Sequence, residues 1–456
     1  MYRKRQKTLN ETFAELTSGE AARQLGGGTE LKTPTTTTEI PRIAKVMEEA
    51  VEKGNAKKAL ERVLQNKGAS GIDGMRTEQL PGYLRANWKR VKQELLSGTY
   101  APQPLRRVEI PKSSGEGMRK LGIPTVLDRF VQQAMQQVLQ RHLDKTFSES
   151  SYGFRPGRSA HQAVEQAQKY VGSGLRWVVD IDLEKFFDRV NHDILMGLLA
   201  ARIEDKSALK IVRKYLQAGV LEEGLVKPTV EGQPQGGPLS PLLSNVMLDV
   251  LDKELERRGH KFVRYADDCN VYVASQRAGE RVMESITKFL HRKLKLQINK
   301  EKSAVDKPQR RKVLGFSFTY GENPRRRLAP QAIAKMKKRV RELTRKTKGI
   351  SLEKVIERLA KYLTGWRGYF GFCETPSILA VLDRWIRRRL RRLVWIQWKR
   401  GYKRYAELKA RGVGQDLATQ TVSSPHGAWR LSNSPALTIA FPNKYFNKVG
   451  LPQLVT

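Results

Sequence analysis

The sequence predicts an α+β chain in which a small antiparallel sheet backed by helices is followed by a separate, all-helical and strongly basic third. Three observations carry this. β-Prone runs cluster mid-chain: WVVDID at 177–182, FVRYADDCNVYVA at 262–274 and KVLGFSFTY at 312–320. Between the first two, Leu243, Val246, Met247, Val250 and Leu251 repeat at helical spacing, with Ser240 and Pro241 expected as N-cap and first-turn residue. Beyond residue 330 the strand signals stop. There Leu352, Val355, Ile356, Leu359, Leu363 and Trp366 form one apolar helical stripe, and Leu382, Ile386, Leu390 and Leu393 form another behind Thr375 and Pro376.

From the start of the chain, a short basic arm leads into QLGGGTELKTPTTTTEIPR at 24–42, a polar Gly/Thr/Pro stretch read as a linker. Residues 43–175 mix helical patterns, such as Val131, Met135, Val138 and Leu139, with Gly/Pro-punctuated segments. Residues 176–322 hold the strands. Residues 323–404 are helical and basic, and 405–456 read as an irregular basic segment.

Lys and Arg total 85 against 46 Asp and Glu, a net charge of +39 in 456 residues. A field of that size repels itself unless a polyanion neutralises it, which points to nucleic acid as partner rather than to a membrane. The sequence has no stretch of about 18 apolar residues, and MYRKRQKTLN lacks the apolar core of a secretory signal, so a cytosolic location is expected. Cys269 and Cys373 are far apart and the six His are scattered, which supports neither a disulfide framework nor a structural zinc site.

The chemistry is carried by acids at strand ends. β-Prone residues flank Asp267 and Asp268, placing both at the tip of a hairpin, where adjacent carboxylates repel one another until a hard divalent cation binds. Asp180 and Asp182 end the first strand two residues apart, hence on one face. If that strand pairs with the hairpin, three carboxylates converge and suffice for two metal ions about 4 Å apart, the arrangement that drives nucleotidyl transfer.

Tyr265-Ala266-Asp267-Asp268 resembles the YxDD motif of reverse transcriptases. SYGFRPGRSAH at 151–161, DIDLEKFFDRVNH at 180–192 and PQGGPLSPLLSN at 234–245 resemble, in order, blocks of the group II intron reverse transcriptase/maturases. The resemblance covers most of the chain after residue 60 and implies a right-hand polymerase. Fingers are expected at 43–175, with part of 205–235 able to return to them, the palm at 176–322, an all-α thumb and maturase domain at 323–404, and a small DNA-binding domain at 405–456. The family pattern puts the first metal ligand five residues before an aromatic, which selects Asp182 with Phe187 rather than Asp180. Asp182, Asp267 and Asp268 are then the catalytic ligands of two Mg²⁺ ions, with Mn²⁺ a possible substitute. Phe187 is expected beneath the sugar of the incoming nucleotide, excluding a 2′-hydroxyl.

Lys112 and Arg119, in IPK and MRKLGIP, offer cations for a triphosphate, and the resemblance assigns them that role. It also places Gln235, beside Gly236, next to the incoming nucleotide. In LKLQINKEKSAV, read as strand-like by its alternation, Lys300 or Lys302 is a candidate general acid toward pyrophosphate, and Lys302 is taken as a nucleotide contact.

Residues 381–405 hold ten basic residues and one acid, Asp383. Arg384, Arg387, Arg388, Arg391, Arg392, Lys399 and Arg400 are expected to form a phosphate-tracking face, with Trp385, Trp395 and Trp398 for packing or base stacking. GWRGYFGF at 365–372 resembles the maturase thumb, and GAWRLS at 427–432 and FPNKYFNKVGLPQL at 441–454 resemble the family's DNA-binding domain. With no Cys/His pattern following, the chain looks like the endonuclease-lacking members. The expected partners are template RNA, intron RNA, a DNA target and primer, and deoxynucleotides, in a prokaryotic cytosol and on the nucleoid when DNA is engaged. A domesticated polymerase of phage defence or repair, and a non-catalytic RNA-binding splicing factor, are the rival readings.

Overall fold

Two β-prone runs separated by Ala266 and Asp267 leave the chain no room for more than a two-residue turn, and they pair as an antiparallel hairpin, Lys261↔Tyr272 through Tyr265↔Asp268. The structure is a computed structural model describing residues 42–111, 117–222, 225–227, 231–233, 235–345 and 349–455. The arm and linker expected over 1–42 therefore lie outside the described residues, apart from Arg42, as does Lys112. Two units are distinguished: described residues up to Ala163 with Val179–Val305, and Val164–Val178 with the chain from Asp306 onward.

In the first unit the order is α1 (Val46–Val51), α2 (Lys53–Asn66), α3 (Leu80–Ser97), β1 (Leu105–Pro111), β2 (Met118–Ile123) and α4 (Val126–Leu143). Then α5 (Ala160–Gly172) and β3 (Trp177–Ile181) straddle the division between the units. α6 (His192–Ala200), α7 (Lys206–Gln217), β4 (Val220–Glu222), β5 (Leu225–Lys227), α8 (Ser240–Arg257), β6 (Lys261–Tyr265), β7 (Asp268–Val273), α9 (Gln276–Phe289) and β8 (Ala304–Asp306) follow. The stripe Val131, Met135, Val138 and Leu139 on α4 is buried, and Thr125 caps that helix by accepting from the Asp128 N–H.

Two four-stranded sheets result. One has the order β2-β1-β4-β5, so part of the 205–235 segment pairs with the β1/β2 hairpin. The other has the order β6-β7-β3-β8. Phe262, Val263, Val271, Tyr272, Val178, Val179 and Ile181 are buried, successive residues on opposite faces of the sheet, which at about 1.5–3 kcal/mol per large side chain is the main source of its stability.

Two local expectations are corrected in this unit. α8 begins at Ser240 itself, with Leu239 as an N-cap that makes no side-chain bond. The Ser240 carbonyl is occupied by the Gln233 amide and the Ser244 hydroxyl. The run LKLQIN is buried at every second residue, Leu294, Leu296 and Ile298, yet it forms no ladder: Leu290–Leu294 is a π-helical turn, and only Ile298 bridges to Leu183. Alternation reports burial on one side, and strand formation also needs a partner with free backbone groups.

The second unit starts with β9 (Phe316–Phe318) and β10 (Arg326–Leu328), paired antiparallel, then becomes helical: α10 (Pro330–Leu343), α11 (Leu352–Phe370), α12 (Pro376–Gln397), α13 (Gly401–Ala410) and α14 (Gln415–Ser423). Both apolar stripes predicted for α11 and α12 are buried. Phe316 stands among Tyr369, Phe370 and Phe372, with ring centroids 5.7, 5.4 and 6.2 Å away, so the KVLGFSFTY run packs on GWRGYFGF. The segment from 405 onward is not irregular. It forms α13, α14 and short helices at Ala428–Leu431, Pro435–Ala440 and Asn443–Lys448, which bury Leu431, Leu437, Phe441 and Phe446. The last three are only one or two turns long, too short for their period to stand out in the sequence. Among the described residues no helix is long and apolar enough to cross a membrane.

Candidate active site

The site is built on the β6-β7-β3 edge of the second sheet. Ala266 adopts φ +57°, the left-handed conformation a two-residue hairpin turn demands. It is followed by Asp267, half-buried in the turn, and Asp268, exposed as the first residue of β7. The loop at 151–155 presses on this turn: a Cβ on Gly153 would run into the Ala266 backbone nitrogen, so only glycine fits there.

β3 lies beside β7, and the Asn270 amide donates to the Asp180 carboxylate at 3.0 Å. Side chains alternate along a strand. Asp268 lies two residues from Asn270 on β7, and Asp182 is the first residue past the end of β3, two residues from Asp180.

Asp182 is tightly fixed. Its backbone N–H donates to the Ser303 hydroxyl at 2.9 Å, and its carbonyl accepts from Ser303 at 3.2 Å and from the Asn299 N–H at 2.9 Å. Lys302 places its ammonium 3.8 Å from the Asp182 carboxylate. The structure thus brings Asp182 and Lys302 together. Among the described residues no group of three or more His, Cys, Asp or Glu is placed to hold a metal ion.

Phe187 lies on a 3-10 turn, Phe186–Asp188, half-buried and edge-on to the buried Phe186 at 5.2 Å. Its carbonyl accepts from the Gln233 N–H at 2.6 Å. Two residues on, the Gln235 carbonyl accepts from the Gly122 N–H of β2 at 3.0 Å, and Gly236 at φ +126° leaves space for the Gly122 carbonyl. One loop therefore reaches from Phe187 to β2, the strand that carries the exposed Arg119 three residues before Gly122.

The basic face on α12 needs correction. Arg387 is buried, 3.0 Å from Asp383 and bonded to Asn447 at 3.1 Å, while Arg391 is buried and donates to the Phe441 carbonyl at 2.9 Å. Arg388 covers the Trp429 ring at 4.1 Å and donates to its carbonyl. All three tie the terminal segment to α12, and Asp383, Arg387 and Arg391, spaced by four, line the helix face that packs inward. Arg384, Lys399 and Arg400 are exposed and Arg392 is half-buried. Trp395 and Trp398 are core residues, whereas half-buried Trp385 has the cations of Lys337, Arg341 and Arg389 5.7, 5.6 and 5.4 Å from its ring.

Sequence reasoning missed Arg264, Asp252, Ser151 and Ser303. Arg264 is fully buried one residue before the Tyr265–Asp268 motif, and a charge inside an apolar strand run was the available signal. Burial alone pulls its guanidinium down, but the charge and hydrogen bonds of Asp252 outweigh this and hold it above its ordinary value. The same burial pushes the Asp252 carboxyl upward, as it does the Cys269 thiol. With both Asp252 oxygens within 2.7 Å of the guanidinium, the ionised pair is the state the geometry supports.

Residues 110–318 match the reverse transcriptase (RNA-dependent DNA polymerase) family, and residues 333–412 match the group II intron maturase-specific domain. The group II intron-encoded protein LtrA of Lactococcus lactis subsp. cremoris is 31% identical over 57% of this chain and 54% of its own length. Protein YkfC of Escherichia coli K12 is 35% identical over 53% of this chain and 74% of its own. The putative COX1/OXI3 intron 1 protein of Saccharomyces cerevisiae is 34% identical over 42% of this chain and 23% of its own. The chain spans about half the length of the lactococcal relative.

Proposed function

Because this chain belongs to the family of reverse transcriptases that carry a group II intron maturase-specific domain, we propose that it is an RNA-directed DNA polymerase that also binds intron RNA. In this reading it assists splicing of that RNA and, by target-primed cDNA synthesis, its mobility, acting in the cytosol on template RNA, a DNA target and primer, and deoxynucleotides. Residues 43–175 would serve as fingers, 176–322 as palm, 323–404 as thumb and maturase domain, and 405–456 as a DNA-binding domain.

The observation that supports the polymerase reading is the Asn270–Asp180 hydrogen bond, which ties β3 to β7; in this reading the chain just past β3 brings Asp182 toward Asp268 and the turn bearing Asp267. The donor set fits a hard cation, since all three ligands offer carboxylate oxygens, and the Lys302 ammonium already sits at Asp182 as a cation would. Two Mg²⁺ ions held by Asp182, Asp267 and Asp268 would activate a primer 3′-hydroxyl and stabilise the pyrophosphate leaving group. Primer extension on an RNA template with Mg²⁺ and deoxynucleotides tests this. Absence of cDNA from folded protein would leave a binding module, and sequencing the co-purifying RNA separates an intron partner from any other.

The remaining roles belong to side chains of this chain. In this reading Lys302, 3.8 Å from the Asp182 carboxylate, gives a proton to the departing pyrophosphate, so Lys302→Met should slow single-turnover nucleotide addition about 10²-fold with little change in nucleotide affinity. An unchanged rate would reduce this lysine to a solvated partner of Asp182. Phe187 blocks a 2′-hydroxyl, and Phe187→Ala should raise ribonucleotide relative to deoxynucleotide incorporation roughly 10- to 100-fold. Unaltered sugar discrimination in competitive extension assays would place the gate elsewhere. Arg119 and Lys112 pair with the triphosphate, while Gln235 faces the nucleotide from the loop held on β2. Arg384, Arg392, Lys399 and Arg400 remain as the phosphate-contacting cations of the α12 region.

A further inference from the structure

A guanidinium has five N–H donors in one plane, and in Arg264 each has an acceptor. Nε donates to Asp252 Oδ1 at 2.7 Å, and Nη2 to Asp252 Oδ2 at 2.6 Å and to Ser151 Oγ at 2.7 Å. Nη1 donates to Asn245 Oδ1 at 3.0 Å and to the Ala266 carbonyl at 2.9 Å. These acceptors come from α8, from the loop before α5 and from the turn itself.

The same three pieces are also joined directly. Asn245 donates its amide to the Gly153 carbonyl at 2.9 Å, Tyr152 N–H donates to the Arg264 carbonyl and Arg264 N–H to the Ser150 carbonyl, both at 2.9 Å. Gly153 in turn abuts Ala266. A two-residue hairpin turn closes through its own strands and needs no side chain on its carbonyl. Burying an ion pair is costly and contributes little net stability, so the pair is explained by the geometry it imposes rather than by folding energy.

We propose that Arg264 is the positioning residue of the metal-binding turn: anchored by Asp252, Asn245 and Ser151, it holds the Ala266 carbonyl and thereby fixes how Asp267 and Asp268 present their carboxylates. This rests on the polymerase reading given above. Lysine cannot replace the arginine, because three donors radiating from one nitrogen cannot span a carboxylate, an amide, a hydroxyl and a carbonyl at once.

The test compares the full-length wild type, Arg264→Lys and Ser151→Ala, the last removing one of the five bonds while sparing the ion pair. Mn²⁺ binding to the template-primer complex is followed by electron paramagnetic resonance, with Asp267→Asn as the baseline. In Arg264→Lys, half-saturation with Mn²⁺ should rise about tenfold and kcat should fall about 100-fold. Nucleotide KM and template-primer affinity should stay within about threefold, a split that general unfolding does not produce. Ser151→Ala should shift Mn²⁺ binding the same way by a smaller factor, and it decides the matter if the lysine variant does not fold. Wild-type Mn²⁺ binding in the folded variants, or a kcat loss matched by the loss of folded protein, overturns the proposal. If the wild type extends no primer while Arg264→Lys still weakens Mn²⁺ binding, the polymerase reading fails and the positioning role stands.

Discussion

Replacing Asp267 by Asn should abolish RNA-templated primer extension, lowering the rate of nucleotide addition by at least about 10³-fold, while the melting temperature and template-primer affinity stay unchanged. Asn matches Asp in size, and the turn is held by Arg264 through the Ala266 carbonyl rather than by the Asp267 side chain, so the substitution removes one charge and leaves the backbone where it is. If anything, folding gains from relieving repulsion with Asp268. Asp182→Asn should behave alike. Asp180→Asn should lose far less, because its carboxylate already accepts from the Asn270 amide and an asparagine there can still offer its carbonyl oxygen to that donor. Single-nucleotide addition with Mg²⁺, alongside a thermal melt, reads all three. Extension at the wild-type rate in Asp267→Asn, or an Asp180 variant as inactive as the Asp182 variant, would remove the ligand assignment.

What could be read from the residues follows from how local each signal is. The hairpin, β3 and the long helices α4, α11 and α12 announce themselves by period, and their stripes are buried as that period requires. The acids at the strand ends were legible for the same reason. The partners that hold them were not. Arg264 finds its counter-ion on a helix and its hydroxyl acceptor in a loop more than a hundred residues upstream, and Ser303 reaches Asp182 from 121 residues away. No periodicity encodes such pairings. The α12 arginines misled in the opposite sense. Their four-residue spacing looked like a phosphate-tracking ladder, yet Asp383, Arg387 and Arg391 share the face that receives the end of the chain. Asp383 accepts the Leu454 N–H at 3.0 Å, and Arg387 and Arg391 hold Asn447 and Phe441. Charge spacing identifies a face of a helix, and only the packing decides whether that face meets solvent or protein.

Asp252→Ala should cost about 3–5 kcal/mol of stability and lower the melting temperature by about 10 °C. The substitution leaves the Arg264 guanidinium fully enclosed with two of its five donors unmatched and no compensating charge, the most expensive way to break a buried pair. Removing both charges is different in kind. In Arg264→Met/Asp252→Leu the apolar side chains fill comparable volume and no ion remains to be desolvated, so most of the lost stability should return. The Ala266 carbonyl, however, would have lost its donor and the turn its tether. The double variant should therefore melt well above Asp252→Ala, short of the wild type because Asn245 and Ser151 also lose their donor, and still extend primers slowly, which separates what the ion pair contributes to folding from what it contributes to the placement of Asp267 and Asp268. Thermal melting of the two variants beside single-nucleotide addition measures this. A melting temperature for Asp252→Ala within about 2 °C of the wild type would mean that the guanidinium reaches water, and a fully active double variant would mean that the strands alone hold the turn.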